Sequence, residues 1–178
     1  MVAWKTERLI LRPWTHSESD VDRVFDAYSR WDVVRYLGAA PRVLETREQA
    51  HGAIDRWTQR STPDGRYGLW ACQIQQTGVV AGTVLLVPLP GDGGAGDREI
   101  EVGWHFHPDS WGHGYATEAA GSVLAKGFAA GLAKVYAVVR PENEPSLAVC
   151  RRLGMTPLGR THRWYDAELE AFVATPPS

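Results

Sequence analysis

The stretch "EVGWHFH", residues 101–107, places three ionisable side chains at alternate positions of a predicted β-strand. Successive side chains of a strand point to opposite faces, so Glu101, His105 and His107 share one face, with Gly103 between them. A carboxylate accepts a proton from an amine, and a histidine has an ordinary pKa near neutrality. We therefore predict general acid–base chemistry here, with Glu101 as the base and His105 as its substitute. The alternatives are a surface carboxylate at Glu101 and proton transfer through water.

Two histidines on one face of a strand are also a pattern found in zinc sites. His105 and His107 have this spacing and His113 follows nearby, but no carboxylate or thiolate is evidently supplied beside them. Cys72 and Cys150 lie far apart and form no C-x-x-C pair, so neither a zinc ribbon nor a disulfide framework is indicated. We predict no metal site.

The stretch "WGHGYATEA" puts Gly112 and Gly114 directly before a predicted helix. The first amides of a helix lack backbone partners and attract anions, so a phosphate group is expected there. The alternative is a tight strand-to-helix turn. A Walker A loop is excluded because Tyr115 and Ala116 stand where Lys and Ser or Thr are needed. A dinucleotide fingerprint is excluded because Thr117 replaces a small residue and no acid follows about 20 residues later.

The same stretch resembles the acetyl-CoA pyrophosphate loop of the GNAT superfamily of N-acetyltransferases, [QR]-x-x-G-x-[GA]. Gly114 and Ala116 match this motif, while Trp111 replaces the usual Gln or Arg. That departure is typical of the RimJ/RimL-type branch. The stretch "NEPSLAVCRRLGM" resembles the second family motif, and "TERLILRPW" resembles the start of that branch. The resemblance therefore covers nearly the whole chain.

The resemblance implies acetyl-CoA as the co-substrate and a mostly antiparallel sheet flanked by about four helices. It implies a splay between the fourth strand, residues 99–107, and the fifth, residues 135–140. The pantetheine arm would pair with backbone near Phe106 and His107. The pyrophosphate would meet the amides of Gly112, His113, Gly114, Tyr115, Ala116 and Thr117.

Three residues near the second motif receive roles from the resemblance. Asn143 would bind the pantetheine arm or fix its loop, with a simple cap as the alternative. Ser146 would lie near the thioester sulfur, with an ordinary helix-start residue as the alternative. Many family members have a tyrosine at the position of Cys150, which shares a helix face with Ser146. We predict that Ser146 stabilises the leaving sulfur and that Cys150 packs as a small apolar residue.

The elements that position these residues follow from hydrophobic periodicity and turn signals. Ser17 and a capping box at Thr46 each predict the start of a helix. A mixed α/β fold is indicated, with a loop at residues 88–97. The predicted strands cover residues 8–14, 67–75, 79–87, 99–107, 135–140 and 168–175. The further helices are predicted at residues 32–37, 116–131 and 146–154.

The chain as a whole is expected to be one cytoplasmic domain over residues 1–178. Its hydrophobic content of 44% is ordinary, and its net charge of -2 predicts neither nucleic acid nor a membrane as a partner. The start has no apolar signal region. The expected acceptor is a protein N-terminal amine or a small primary amine, and a homodimer is possible. The alternative class is an acyl-CoA-binding sensor or interaction module without transferase activity.

The acceptor is expected to enter opposite the cofactor, beneath the helices between the first two strands. Four aromatic side chains are candidates for the wall of that entrance, although each has the core as its alternative. These residues are Trp31, Tyr36, Trp57 and Trp70.

Overall fold

A computed structural model describes residues 3–90 and 99–177 of the chain. Most of the loop predicted at residues 88–97 lies outside the described residues. The strands are β1 Trp4–Lys5, β2 Leu9–Pro13, β3 Gly68–Ile74, β4 Val80–Pro88, β5 Ile100–Phe106, β6 Val135–Val139, β7 Thr156–Thr161 and β8 Leu169–Ala174. The α-helices are α1 Glu18–Tyr28, α2 Trp31–Val34, α3 Arg47–Gln59, α4 Tyr115–Ala129 and α5 Glu144–Arg152.

The described strands form one sheet in the order β1-β2-β3-β4-β5-β6-β8-β7. Every neighbouring pair is antiparallel except β5 and β6, which are parallel. The predicted fold class, a mixed and mostly antiparallel sheet flanked by helices, is therefore confirmed. The predicted fourth strand is β5 because the two-residue β1 precedes the first predicted strand.

The sheet is split between β5 and β6. β5 pairs with β4 from Ile100 to Phe106, but it pairs with β6 at one position, where Glu101 lies opposite Tyr136. Beyond that position the two strands diverge. This is the splay expected between the predicted fourth and fifth strands.

Helices cover both faces of the sheet, and their starts follow local rules. The Ser17 side chain accepts a hydrogen bond from the Asp20 amide at the start of α1. Thr46 and Gln49 form the predicted capping box at the start of α3. These two helices pack over β3 and β4 on one face, and α4 packs on the other.

The alternation of β5 separates its apolar and polar side chains. Ile100, Val102 and Phe106 are buried in the core beneath α4. Glu101 and His105 point to the opposite face, toward α1 and α3, because they occupy the alternate positions. The strand thus presents its ionisable groups on the face away from the glycine-led helix α4.

Candidate active site

A cavity of about 240 Å³ lies where β5 and β6 separate. Glu101 and His105 line it from β5, and Asn143 and Ser146 line it from the start of α5. The structure therefore brings together the predicted base, its predicted substitute and the residue predicted to stabilise the leaving sulfur. Residues 106, 107 and 112–117, predicted for the cofactor, do not line this cavity.

The Glu101 carboxyl group is buried rather than exposed on the sheet. Only 9% of the residue is accessible to solvent. Burial raises its pKa to about 7, although the Tyr165 hydroxyl and the Arg60 guanidinium both favour the charged form. The alternative of a surface carboxylate is wrong. A carboxyl group with this pKa can exchange a proton close to neutral pH.

Tyr165 is a site residue that sequence reasoning missed. Its hydroxyl donates to Glu101 Oε2 at 2.6 Å, and its side chain lines the cavity. Tyr165 and Asp166 have φ angles of 59° and 45°, which non-glycine residues adopt rarely and at a cost in backbone energy. The "WYDAE" stretch contains no motif. Its one local sign of a turn is Asp166, because aspartate tolerates a positive φ better than most residues do.

His105 is neutral in this environment. Burial lowers its pKa to about 4, and the Arg60 charge acts in the same direction. Its Nδ1 lies 3.2 Å from the Tyr28 hydroxyl, which itself donates to Thr83 Oγ1 at 2.8 Å. Because Tyr28 gives its proton to Thr83, His105 Nδ1 is the donor to Tyr28. A histidine with so low a pKa accepts a proton from an amine poorly, so Glu101 is the better base of the two.

His107 is held by protein contacts through its backbone and its ring. Its amide donates to Ala81 O, and its carbonyl accepts from the Ser110 amide. Its ring lies 2.9 Å from carboxylate oxygens of both Asp26 and Asp109. Both backbone groups of His107 therefore have protein partners, and a contact between His107 and the pantetheine arm stays a prediction.

Phe106 presents its backbone to the opening between β5 and β6. In an antiparallel pair, alternate residues turn both backbone groups to the partner strand. The hydrogen bond from the His107 amide to the Ala81 carbonyl shows that the odd-numbered residues of β5 turn their backbone groups toward β4. The backbone groups of Trp104 and Phe106 therefore face the opening. The Phe106 carbonyl accepts from Trp111 Nε1 at 2.8 Å, which leaves its amide facing the opening.

The loop before α4 has the geometry of an anion site. Gly112 and Gly114 both have a φ of 78°, a conformation that favours glycine. The first backbone bond of α4 runs from Glu118 N to Gly114 O, so the preceding amides lack intrahelical partners. Thr117 Oγ1 is buried and has no hydrogen-bond partner in the described part of the chain. These features fit a phosphate-bearing ligand.

The other side chains at this loop are held by protein contacts. The Glu118 carboxylate, in the first turn of α4, accepts from the hydroxyl of Thr6 and from the amide and Nε of Arg8. Arg8 also donates to the His113 carbonyl, and the His113 ring stacks on Tyr115 at 5.4 Å. The entrance to α4 is therefore anchored to β2.

The start of α5 positions Ser146 at the cavity. The Asn143 side chain caps the helix by accepting from the Ser146 amide. Ser146 Oγ accepts from Trp104 Nε1 at 3.2 Å, so its own hydroxyl proton is free to be donated. Cys150 is fully buried in the core, and burial raises its pKa to about 12. The prediction that Cys150 packs as a small apolar residue is confirmed.

A second cavity, of about 490 Å³, lies beneath the helices on the face opposite α4. Both cavities are lined by Leu37 and His105, so they adjoin. Among the predicted aromatic wall residues, Tyr36 lines the first cavity and Trp57 lines the second. Trp70 is buried in the core beneath α4, as its stated alternative has it, whereas Trp31 is 55% exposed and belongs neither to a cavity wall nor to the core.

The described residues contain no group of three or more His, Cys, Asp or Glu side chains placed to hold a metal ion. His105 and His107 share a strand face, but His107 is occupied by two aspartates. Within the same described ranges, no helix is both long and apolar enough to cross a membrane.

The sequence and the fold match one class of enzyme. The Acetyltransferase (GNAT) domain family matches residues 8–156, most of the sequence, and the chain belongs to this family of acetyltransferases. YoaA of Bacillus subtilis strain 168, described as an uncharacterized N-acetyltransferase, is 31% identical over 152 residues, which cover 84% of this chain and 80% of that protein.

Two solved structures share the fold. The GNAT-family acetyltransferase from Bacillus anthracis superposes with a TM-score of 0.76 and 22% identity, over 98% of each chain. The microcin C7 self-immunity acetyltransferase MccE, solved in complex with acetyl-CoA and AMP, superposes with a TM-score of 0.77 and 11% identity, over 96% of this chain and 94% of its own. At these identities the likeness concerns the fold alone.

Proposed function

We propose that this protein is an acetyl-CoA-dependent N-acetyltransferase of the RimJ/RimL-type branch, formed by one domain over residues 1–178. One observation carries the proposal: a buried carboxyl group, Glu101, with a pKa near 7, faces a cavity that Ser146 lines from the other side. A base and a hydrogen-bond donor on two sides of one opening are what transfer of an acyl group to an amine requires.

Acetyl-CoA is proposed to lie in the opening between β5 and β6. The amides of residues 112–117 would bind its pyrophosphate, supported by the left-handed glycines and the unpartnered Thr117 hydroxyl. The Phe106 amide would pair with the pantetheine arm in the position that a neighbouring strand would otherwise take. Asn143, besides capping α5, would contact the arm where it passes the start of that helix.

The proposed reaction is direct attack without a covalent enzyme intermediate. The acceptor nitrogen forms a bond to the thioester carbonyl carbon, and the carbon–sulfur bond breaks. The nitrogen gives one proton to the Glu101 carboxylate, which returns it to solvent. The departing thiolate accepts a hydrogen bond from Ser146 and takes up a proton from solvent. The products are the N-acetylated amine and CoA, with no net change in protons.

The acceptor is proposed to reach Glu101 through the second cavity, because that cavity adjoins the first at His105. Either a protein N-terminal amine or a small primary amine fits this route. The cytoplasmic location and a homodimer stay predictions.

The rival is an acyl-CoA-binding module without transferase activity. A screen for CoA release from acetyl-CoA would separate the two, using a panel of peptides with varied first residues and small amines. Turnover with at least one amine supports the transferase, and a large loss of that turnover in Glu101→Gln supports Glu101 as its base. Binding of acetyl-CoA with no turnover across the panel supports the module. No binding of acetyl-CoA would contradict both.

A further inference from the structure

Positive charge is concentrated around the two connected cavities. Arg60 and Arg140 line the first, and Arg42 and Arg56 line the second. Glu101 is the one acidic residue among the described residues that line them. The whole chain has a net charge of -2, so this excess of positive charge is local to the site.

None of these four arginines has a carboxylate partner within residues 3–90 and 99–177. Arg140 donates to the Gly38 carbonyl at 2.9 Å. Arg42, Arg56 and Arg60 form no ion pair with a described Asp or Glu. Arg47, at the other end of α3, is paired with Asp22 at 2.6 Å. Arg35, Arg66 and Arg152 also form no ion pair with a described Asp or Glu, so what distinguishes the four cavity arginines is their position around the two cavities.

The last turns of α3 direct positive charge at both cavities. Arg56 and Arg60 are four residues apart, so they lie on the same side of the helix and repel each other. The Arg60 charge lowers the pKa of both Glu101 and His105, which locates its field at the reacting end of the site. A cationic acceptor would meet repulsion along this path, and an anionic group would relieve it.

The phosphates of the co-substrate do not account for these arginines. The proposed anion site for the pyrophosphate is the loop of residues 112–117, which follows the far end of β5. None of these loop residues lines either cavity. Arg42 and Arg56 line the cavity on the face opposite α4, so they are available to the acceptor.

We propose that the acceptor is a small primary amine that also carries an anionic group, a carboxylate or a phosphate. Arg42 and Arg56 hold the anionic group in the second cavity, and the amine extends toward Glu101. Trp57 and Tyr28, which line the same cavity, contact the apolar part of the acceptor. This inference rests on the proposed acetyl transfer. It restricts the acceptor to anionic amines and excludes polyamines.

The test pairs each anionic amine with a partner that lacks the negative charge. Amino acids are compared with their amides, and phosphoethanolamine with ethanolamine, so that carboxylate and phosphate are distinguished. Spermidine serves as the cationic probe. Binding to the protein without acetyl-CoA is measured by calorimetry, and acetylation is measured by CoA release. The variants are Arg42→Gln and Arg56→Gln, with the exposed Arg66→Gln, which lines neither cavity, as control.

We expect an anionic amine to bind and to be acetylated in preference to its uncharged partner. Loss of one charge-assisted hydrogen bond should weaken this binding about tenfold or more in Arg42→Gln and Arg56→Gln, with kcat little changed and Arg66→Gln unaffected. Equal binding of acid and amide, or tighter binding of spermidine, overturns the inference. Binding of an anionic amine that is lost in Arg42→Gln and Arg56→Gln, without turnover of any amine, contradicts the proposed transferase and supports only the anion site formed by these arginines.

Discussion

The Tyr165 hydroxyl donates a hydrogen bond of 2.6 Å to Glu101 Oε2 across 64 residues of sequence. One carboxylate oxygen of the proposed base is therefore held by the segment between β7 and β8, and the other oxygen is left for the acceptor. The hydrogen bond favours the charged form of Glu101 and opposes the effect of burial on its pKa. In the proposed reaction, Tyr165 is therefore a positioning residue that acts through Glu101.

Tyr165→Phe should move the acidic limb of the pH–rate profile to higher pH. Without the hydroxyl, the Glu101 carboxylate loses a hydrogen bond and its pKa rises. Activity at pH 7 should fall severalfold and recover toward pH 9. The profile of kcat against pH is the measurement, with Tyr136→Phe as a control for loss of a buried tyrosine hydroxyl nearby. An unchanged limb would show that Tyr165 only packs.

Glu101→Gln should lower kcat by about a hundredfold or more, because the amide keeps the shape but accepts no proton. The wild-type rate should rise with pH through about 7 as Glu101 ionises. Acetyl-CoA should still stabilise the variant against heat. Glu168→Gln, an exposed carboxylate paired with Arg160, is the matched control. Unaltered turnover in Glu101→Gln would assign the proton to water.

The same variant should gain stability at alkaline pH. The pKa of Glu101 is about 7 in the folded chain and lies near 4.5 when exposed, so its stabilising contribution is complete below pH 4.5 and is lost as pH rises through 7. Glutamine does not ionise, so the stability of the variant has no such dependence on pH at this position. The free energy of unfolding of Glu101→Gln relative to wild type should increase by roughly 1–3 kcal/mol from pH 5 to pH 8. Denaturant unfolding at both pH values measures this difference, and a constant difference would mean that the folded-state pKa is not raised.

Ser146→Ala should reduce turnover, whereas Cys150→Ala should reduce stability more than rate. Ser146 has a free hydroxyl proton at the cavity, and Cys150 is buried in the core with a raised pKa. Rates at saturating acetyl-CoA and melting temperatures of both variants give the comparison. The reverse ranking would transfer the role at the sulfur to Cys150.

Gly114→Glu should abolish the thermal stabilisation that acetyl-CoA gives the wild type. The substitution places a side chain and a negative charge at the proposed pyrophosphate site. Gly131→Glu is the control, because Gly131 also has a positive φ, has room for a side chain and lies just past the other end of α4. Both variants should lose intrinsic stability, but only Gly131→Glu should keep the response to acetyl-CoA. Equal responses would place the co-substrate elsewhere.

The parts of the fold that depend on near neighbours in sequence were predictable. The caps at Ser17 and Thr46 need contacts three residues away, and the alternation that separates Glu101 from Val102 needs only the period of a strand. The glycines before α4 were recognisable because their conformation is a local demand. In each case the physical cause lies within a few residues.

The contacts that could not be predicted from the sequence are those that the sheet makes between residues far apart in the chain. His107 has the same alternation as Glu101, but pairing with Ala81 and with Asp26 of α1 commits it to structure. The sequence alone does not distinguish Trp31 and Trp70 from Trp57. The packing of helices on both faces of the sheet decides which tryptophan lines a cavity. Tyr165 reaches Glu101 because of a turn conformation that no spacing rule reveals.

The single β-bridge between Glu101 and Tyr136 affects how the sheet unfolds locally. Strands β1 to β5 form one continuous ladder and β6 to β8 form another, with little backbone bonding between them. Such a seam divides a sheet into two units that can open separately. A ligand that bonds to both sides of the seam would join them into one cooperative unit. Amide hydrogen exchange in β6 and β8 should therefore slow toward the rate of β3 and β4 when acetyl-CoA is added.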